Sequence, residues 1–161
     1  KCTGALRPAA SAPVLACASN DGLSAWDLRK AGAEAVTRHA WKGAVADVSG
    51  DGSVVAAIAE KSLLLWRPAA GTTMEIGVNE AIVFARMSPR DRALAVVTTG
   101  AVQIHDLDQA IEPLVRVEHR FSTTSMRWDA GGLDVGLCGR DGRARGWGRR
   151  SELSQSPIQI S

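Results

Sequence analysis

Tyrosine is absent from the 161-residue chain, and only two Phe accompany five Trp. A core of large aromatics is therefore excluded, and the 45% hydrophobic share must come mainly from small aliphatics. Cysteine is sparse: Cys2, Cys17 and Cys138 are odd in number and never in CxxC spacing. That pattern offers no zinc knuckle. It also leads us to expect no disulfide framework and a reducing compartment, cytoplasmic or nuclear. No apolar run approaches the roughly 18 residues that span a bilayer, so no membrane insertion is expected. An excess of one charge is lacking too. A net charge of +2 is too weak to announce a nucleic-acid or membrane partner. The opening Lys1-Cys2-Thr3-Gly4 has no initiator Met and no charged-then-apolar leader pattern, which suggests an excised or incomplete chain.

Helical periodicity is missing as well: no segment carries an apolar stripe of 3.6-residue period over ten or more residues. What the chain does have is a repeat. Residues 23–29, 62–68, 101–107 and 143–149 are alike. Their equivalent positions Trp26, Trp66, His105 and Trp147 lie 40, 39 and 42 residues apart. Each segment follows a short apolar run, at 14–19, 53–59, 93–99 and 133–138. Between run and segment stands a tight turn: Asn20-Asp21-Gly22, Glu60-Lys61, Gly100, and Arg140-Asp141-Gly142. Run, turn and second run read as a β-hairpin. A further strand precedes the later pairs, at 43–48, 81–87 and 123–128, and an outer strand follows, as at 72–78 and 114–118. The expected class is all-β, with four short antiparallel strands in each unit of about 40 residues.

This organisation resembles the WD40-repeat β-propeller family, with divergent repeats. The resemblance rests on Trp26-Asp27, on Trp66 and Trp147, on the Asp-Gly turns at Asp21-Gly22 and Asp141-Gly142, and on the Ser88-Pro89 turn. It covers residues 1–150, in units ending near 29, 68, 107 and 150. Residues 151–161 form a polar tail or the start of a further strand. No Gly-His dipeptide occurs, only Trp26 keeps the literal Trp-Asp, and His105 stands where Trp is usual. At about 40 residues per unit the chain holds three and a half to four blades, which implies an open partial propeller. The remaining blades would come from the parent chain or a partner. In the last unit the resemblance implies that His119, Asp141 and Trp147 share a buried hydrogen-bonded network, a structural role.

Candidate chemistry is thin. Asp47, Ser49, Asp51 and Gly52 mimic the start of a calcium loop, but its twelfth position, which should be a bidentate Glu, is Ile58. A β-turn is the expected reading. His39, His105 and His119 have no metal-ligand spacing between them. His105 and Asp106 are strand neighbours and point to opposite faces. No nucleophile motif occurs. No catalytic, metal or cofactor-binding residue is therefore assigned, and no cofactor is expected. The candidate partner-binding residues are Trp41, as an exposed anchor or a core cap, and a basic cluster around Trp147. The cluster comprises Arg140, Arg143, Arg145, Arg149 and Arg150, with Arg143 and Arg145 expected on one side of an outer strand. The resemblance implies a rigid interaction platform. The expected function is a non-catalytic scaffold mediating protein–protein interaction in a multiprotein complex. A binder of nucleic acid or an acidic partner, acting through the Arg cluster, is the main rival. A propeller enzyme is the other.

Overall fold

The computed structural model describes residues 2, 4–32, 36–109, 112–148 and 158–160. Sixteen strands and no α-helix are found among them. They form four antiparallel sheets of four strands each. The first sheet orders β1 (Arg7–Pro8), β2 (Val14–Ser19), β3 (Gly22–Asp27) and β4 (Val36–His39). The second orders β5 (Ala44–Val48), β6 (Val55–Ala59), β7 (Ser62–Arg67) and β8 (Thr72–Gly77). The third contains β9 (Ile82–Met87), β10 (Ala93–Thr98), β11 (Ala101–Asp106) and β12 (Val115–Glu118). The fourth contains β13 (Thr123–Trp128), β14 (Asp134–Gly139), β15 (Ala144–Gly148) and β16 (Ile158–Ile160). Each sheet runs one strand past the strand that carries Trp26, Trp66, His105 or Trp147. The tail therefore supplies an outer strand, with Ile158–Ile160 pairing on β15.

The sheets group into two compact units, residues 1–79 and residues 80–161. In the first unit, Ala16, Ala18, Leu23 and Ala25 of one sheet pack against Val45, Val48, Val55, Ala57, Leu64 and Trp66 of the other. Small side chains on one surface and large ones on its partner let the two sheets interdigitate. The second unit repeats the arrangement. Ala93, Ala95, Val97, Val102 and Ile104 face Met126, Val135, Leu137 and Trp147.

Within each unit, one turn locks the sheets together. Ser11 Oγ donates to the Gly50 carbonyl at 2.7 Å, and Ser88 Oγ donates to the Gly132 carbonyl at 3.1 Å. Glycine is required beside both contacts. Gly52 and Gly132 each have φ of 72°, and a Cβ on Gly52 would lie 2.7 Å from Val14.

The first strands of the second, third and fourth sheets share a feature that alternation alone does not show. β5, β9 and β13 each contain a register shift, leaving Ala46, Val83 and Thr124 without an opposite residue. The shift in β5 turns the adjacent residues Val45 and Ala46 both inward, so both are buried.

One expectation is corrected here. Cys2 and Cys17, 15 residues apart, form a disulfide with a Cα–Cα distance of 6.1 Å. Spacing could not reveal it, because the chain before β1 doubles back along β2, where Gly4 N donates to Ala18 O. Cys138 is the free thiol, and it is exposed.

Candidate functional site

The repeat positions of the sequence coincide in register, although Trp26 is only half-buried and stands outside the core cluster that holds Trp66. Trp26, Trp66, His105 and Trp147 stand on the third strand of their sheets, opposite Leu15, Val55, Leu94 and Val135. Each faces the second residue of the preceding strand or the first, so the period reports register. Trp66 and His105 are 1% exposed, and Trp147 is 8% exposed. His105 can replace Trp because Gln103, two residues earlier on the same face, meets its Nε2 at 3.1 Å. Burial of that imidazole is thereby compensated by a buried polar partner. Asp106 points elsewhere, its Oδ1 accepting from the Asp108 amide at 2.7 Å.

A second periodic element escaped the sequence reading. His39-Ala40-Trp41 and His119-Arg120-Phe121 both carry an aromatic two residues after the His. His39 ends β4, and its ring lies 5.9 Å from Trp66. Trp41 packs, half-buried, against the same core. In the second unit the His119 ring lies 4.5 Å from Phe121, which stacks 6.1 Å from Trp147. The repeated His-x-aromatic spacing was the signal available for Phe121.

This stack replaces the network that the resemblance implied. Both ring nitrogens of His119 are buried, and neither meets Asp141 or Trp147. Burial holds its imidazole below the usual histidine value, with the backbone of Phe121 and Thr98 pulling the other way. Asp141 is turned away to Arg145, whose Nη2 lies 2.6 Å from its carboxylate. The Arg145 hydrogen bond and the Arg143 amide hold Asp141 down at about 2.

The Asp47 to Gly52 segment is a turn. Asp51 Oδ1 accepts from the Ser49 hydroxyl at 2.7 Å and from the Ser53 amide at 3.0 Å. Asp47 accepts from the Val48 amide. Glu80 likewise serves a turn, accepting from Thr98 Oγ1 and from the Gly100 amide. Those hydrogen bonds hold its carboxyl below the usual range. In the first unit two shallow cavities of about 210 and 240 Å³ flank Trp26. Cys17, Ser19 and Arg38 line the first, and Asp27, Lys30 and Ser53 line the second.

The basic cluster divides in the structure. Arg145 does not stand on an outer strand beside Arg143. It lies on β15, between β14 and β16, with its side chain only 14% exposed. Its guanidinium pairs with Asp141 and sits 4.1 Å over the Phe121 ring. Arg143 precedes β15 in the turn and is exposed, as is Arg140. Arg149 and Arg150 lie outside the described residues. Arg120 joins the cluster from 20 residues upstream of Arg140. Its loop is tied to the Arg140 turn by the Arg140 amide, which donates to Ser122 O at 2.8 Å.

No protein-family model matches the chain. No curated protein matches it either. Solved structures do. A chain in a crystal structure of the mitotic checkpoint complex superposes with a TM-score of 0.74 at 18% identity, over 96% of this chain and 49% of that one. The β-propeller domain of Cps50 (Swd1) from Myceliophteria thermophila gives 0.73 at 18% identity, over 99% of this chain and 55% of that one. The chain spans about half the length of both. At this identity the likeness shows the fold, and the fold is that of a β-propeller built from four-stranded blades.

Proposed function

We propose that the chain is a non-catalytic scaffold, a set of β-propeller blades that mediates protein–protein interaction within a multiprotein complex. One observation carries the reading. The polar side chains of the third and fourth sheets are spent on contacts within their own sheet or its adjoining loops. His105 serves Gln103, Asp141 serves Arg145, and Glu80 serves Thr98 and Gly100. His119 packs on Phe121. A propeller enzyme would need converging acid–base groups, and these residues are committed elsewhere. The solved chain in the mitotic checkpoint complex supports the assignment to complexes by analogy of fold.

We also propose that these blades belong to a larger propeller, with the others supplied by the parent chain or a partner. The bare face of β14 supports this: Asp134, Gly136 and Cys138 are exposed, whereas Val135 and Leu137 opposite them are buried. Affinity purification of the complete parent chain, followed by mass spectrometry, tests the scaffold. Recovery of a reproducible, stoichiometric set of proteins is expected. Purified parent chain that elutes alone and turns over a small molecule would overturn it. An intracellular location, cytoplasmic or nuclear, is part of the proposal, and the Cys2–Cys17 pair tests it. The disulfide of the structure runs against that location, so the proposal requires rapid acid quenching and alkylation to find both thiols free in the cell. An intact disulfide would argue for an oxidising compartment.

A further inference from the structure

We propose that Arg120, Arg140 and Arg143 form the docking surface for an acidic segment of a protein partner. The inference rests on the scaffold reading and adds its surface and the chemistry of what binds there. All three side chains are exposed, and among the described residues none forms an ion pair. They sit on two segments fastened together at one end of the fourth sheet. Thr123 pairs with Gly139, and the Arg140 amide reaches Ser122 O. Gly139 permits that approach. A Cβ there would lie 2.4 Å from Asp141 Oδ1 and 3.1 Å from the Phe121 ring.

The local charge is not something the blade needs. Equivalent loops of the second sheet carry Lys42 and Lys61 against Glu60, and those of the third carry only Glu80. In the fourth, Asp141 is the one acidic residue beside Arg120, Arg140 and Arg143. Asp141 is already held by Arg145, which is itself fixed over Phe121. Arg145 thus acts as a strut beneath the surface, and the three exposed guanidinium forks remain to receive carboxylates in bidentate fashion.

Protein is favoured over nucleic acid on two counts. The aromatic rings near this end, Phe121 and Trp147, are stacked on each other, leaving no platform for bases. Three cations also make a short track, whereas a nucleic acid gains affinity from many phosphate contacts.

The test uses the full chain and fluorescence anisotropy with two labelled probes at low salt: a short peptide of alternating Asp and Ser, and a single-stranded RNA of equal charge. Wild type should bind the peptide more tightly than the RNA. Joint substitution Arg120→Gln, Arg140→Gln and Arg143→Gln should weaken peptide binding at least about tenfold. Arg38→Gln, on an exposed residue of the first sheet, should change it less than about twofold. Circular dichroism checks that each variant is folded, and separate single substitutions replace the triple one if it is not. Absence of peptide binding, equal binding by the triple variant, or tighter RNA binding would each overturn the proposal. If the parent chain still captures the same partners with the triple variant, the scaffold stands and this surface falls.

Discussion

The guanidinium of Arg145 lies 4.1 Å from the centroid of the Phe121 ring. The contact joins β15 to the loop that enters the fourth sheet, and the same guanidinium clamps Asp141. Arg145→Ala should lower the thermal midpoint by a few degrees, whereas Arg145→Lys should lose less. Carboxyl NMR gives the sharper readout. Asp141 titrates at about 2 in the folded chain, against an ordinary 3.8. A carboxyl depressed in the folded state contributes stability that is present above about pH 4 and is lost as pH falls through about 2. In Arg145→Ala that midpoint should rise toward the ordinary value. An unchanged midpoint would show that the ion pair does not form.

His119 gives a pH dependence of different origin. Its folded value is lowered by burial, so the unfolded chain takes up the proton first. Stability should therefore be full above about pH 7 and fall as pH drops through the folded value, the unfolded side chain titrating near 6.5. Urea midpoints followed by Trp fluorescence at neutral and mildly acidic pH measure this. His119→Gln should flatten the slope.

Trp66 is 1% exposed and packs in the first core cluster. Trp66→Ala should cost about 3–5 kcal/mol, the range for removing a buried large aromatic. Trp66→Phe should cost less. Chemical denaturation gives both numbers.

Among the described residues, Glu60 is the non-glycine residue with positive φ, at 48°, in the turn between β6 and β7. An L side chain in that region costs about 1–2 kcal/mol, partly offset in glycine by its greater unfolded freedom. Glu60→Gly should therefore stabilise the chain by up to about 1 kcal/mol. A loss of stability would mean that the exposed Glu60 side chain makes a contact worth more than the strain.

The Cys2–Cys17 bond closes a loop of 15 residues. Chain entropy assigns such a loop about 3 kcal/mol. Oxidised protein should resist urea more than reduced protein by about that amount, and Cys2→Ser should behave like the reduced form. Alkylation of the oxidised chain should label Cys138 alone.

The blade pattern was legible because it is local. Alternation, Gly-containing turns and the 40-residue period depend on neighbours in sequence, and the strands fall where those signals lie. Phe121 was readable from the spacing that His119-Arg120-Phe121 shares with His39-Ala40-Trp41. The bulges at Ala46, Val83 and Thr124 were not, because one extra residue changes which face is buried without changing composition.

By itself, then, the sequence determined the class of structure: short paired strands, tight turns, and small side chains that demand a large neighbour across a sheet interface. The tertiary structure decided which distant groups meet. Pairing of the chain before β1 along β2 brought Cys2 to Cys17, and packing of the entry loop placed Arg145 over Phe121. It also put Arg120 beside the Arg140 turn. The physical reason is the same in each case. Backbone hydrogen bonding sets a strand from within its own few residues, whereas a disulfide, a cation–π contact or a charged surface exists only between segments that the fold has carried together.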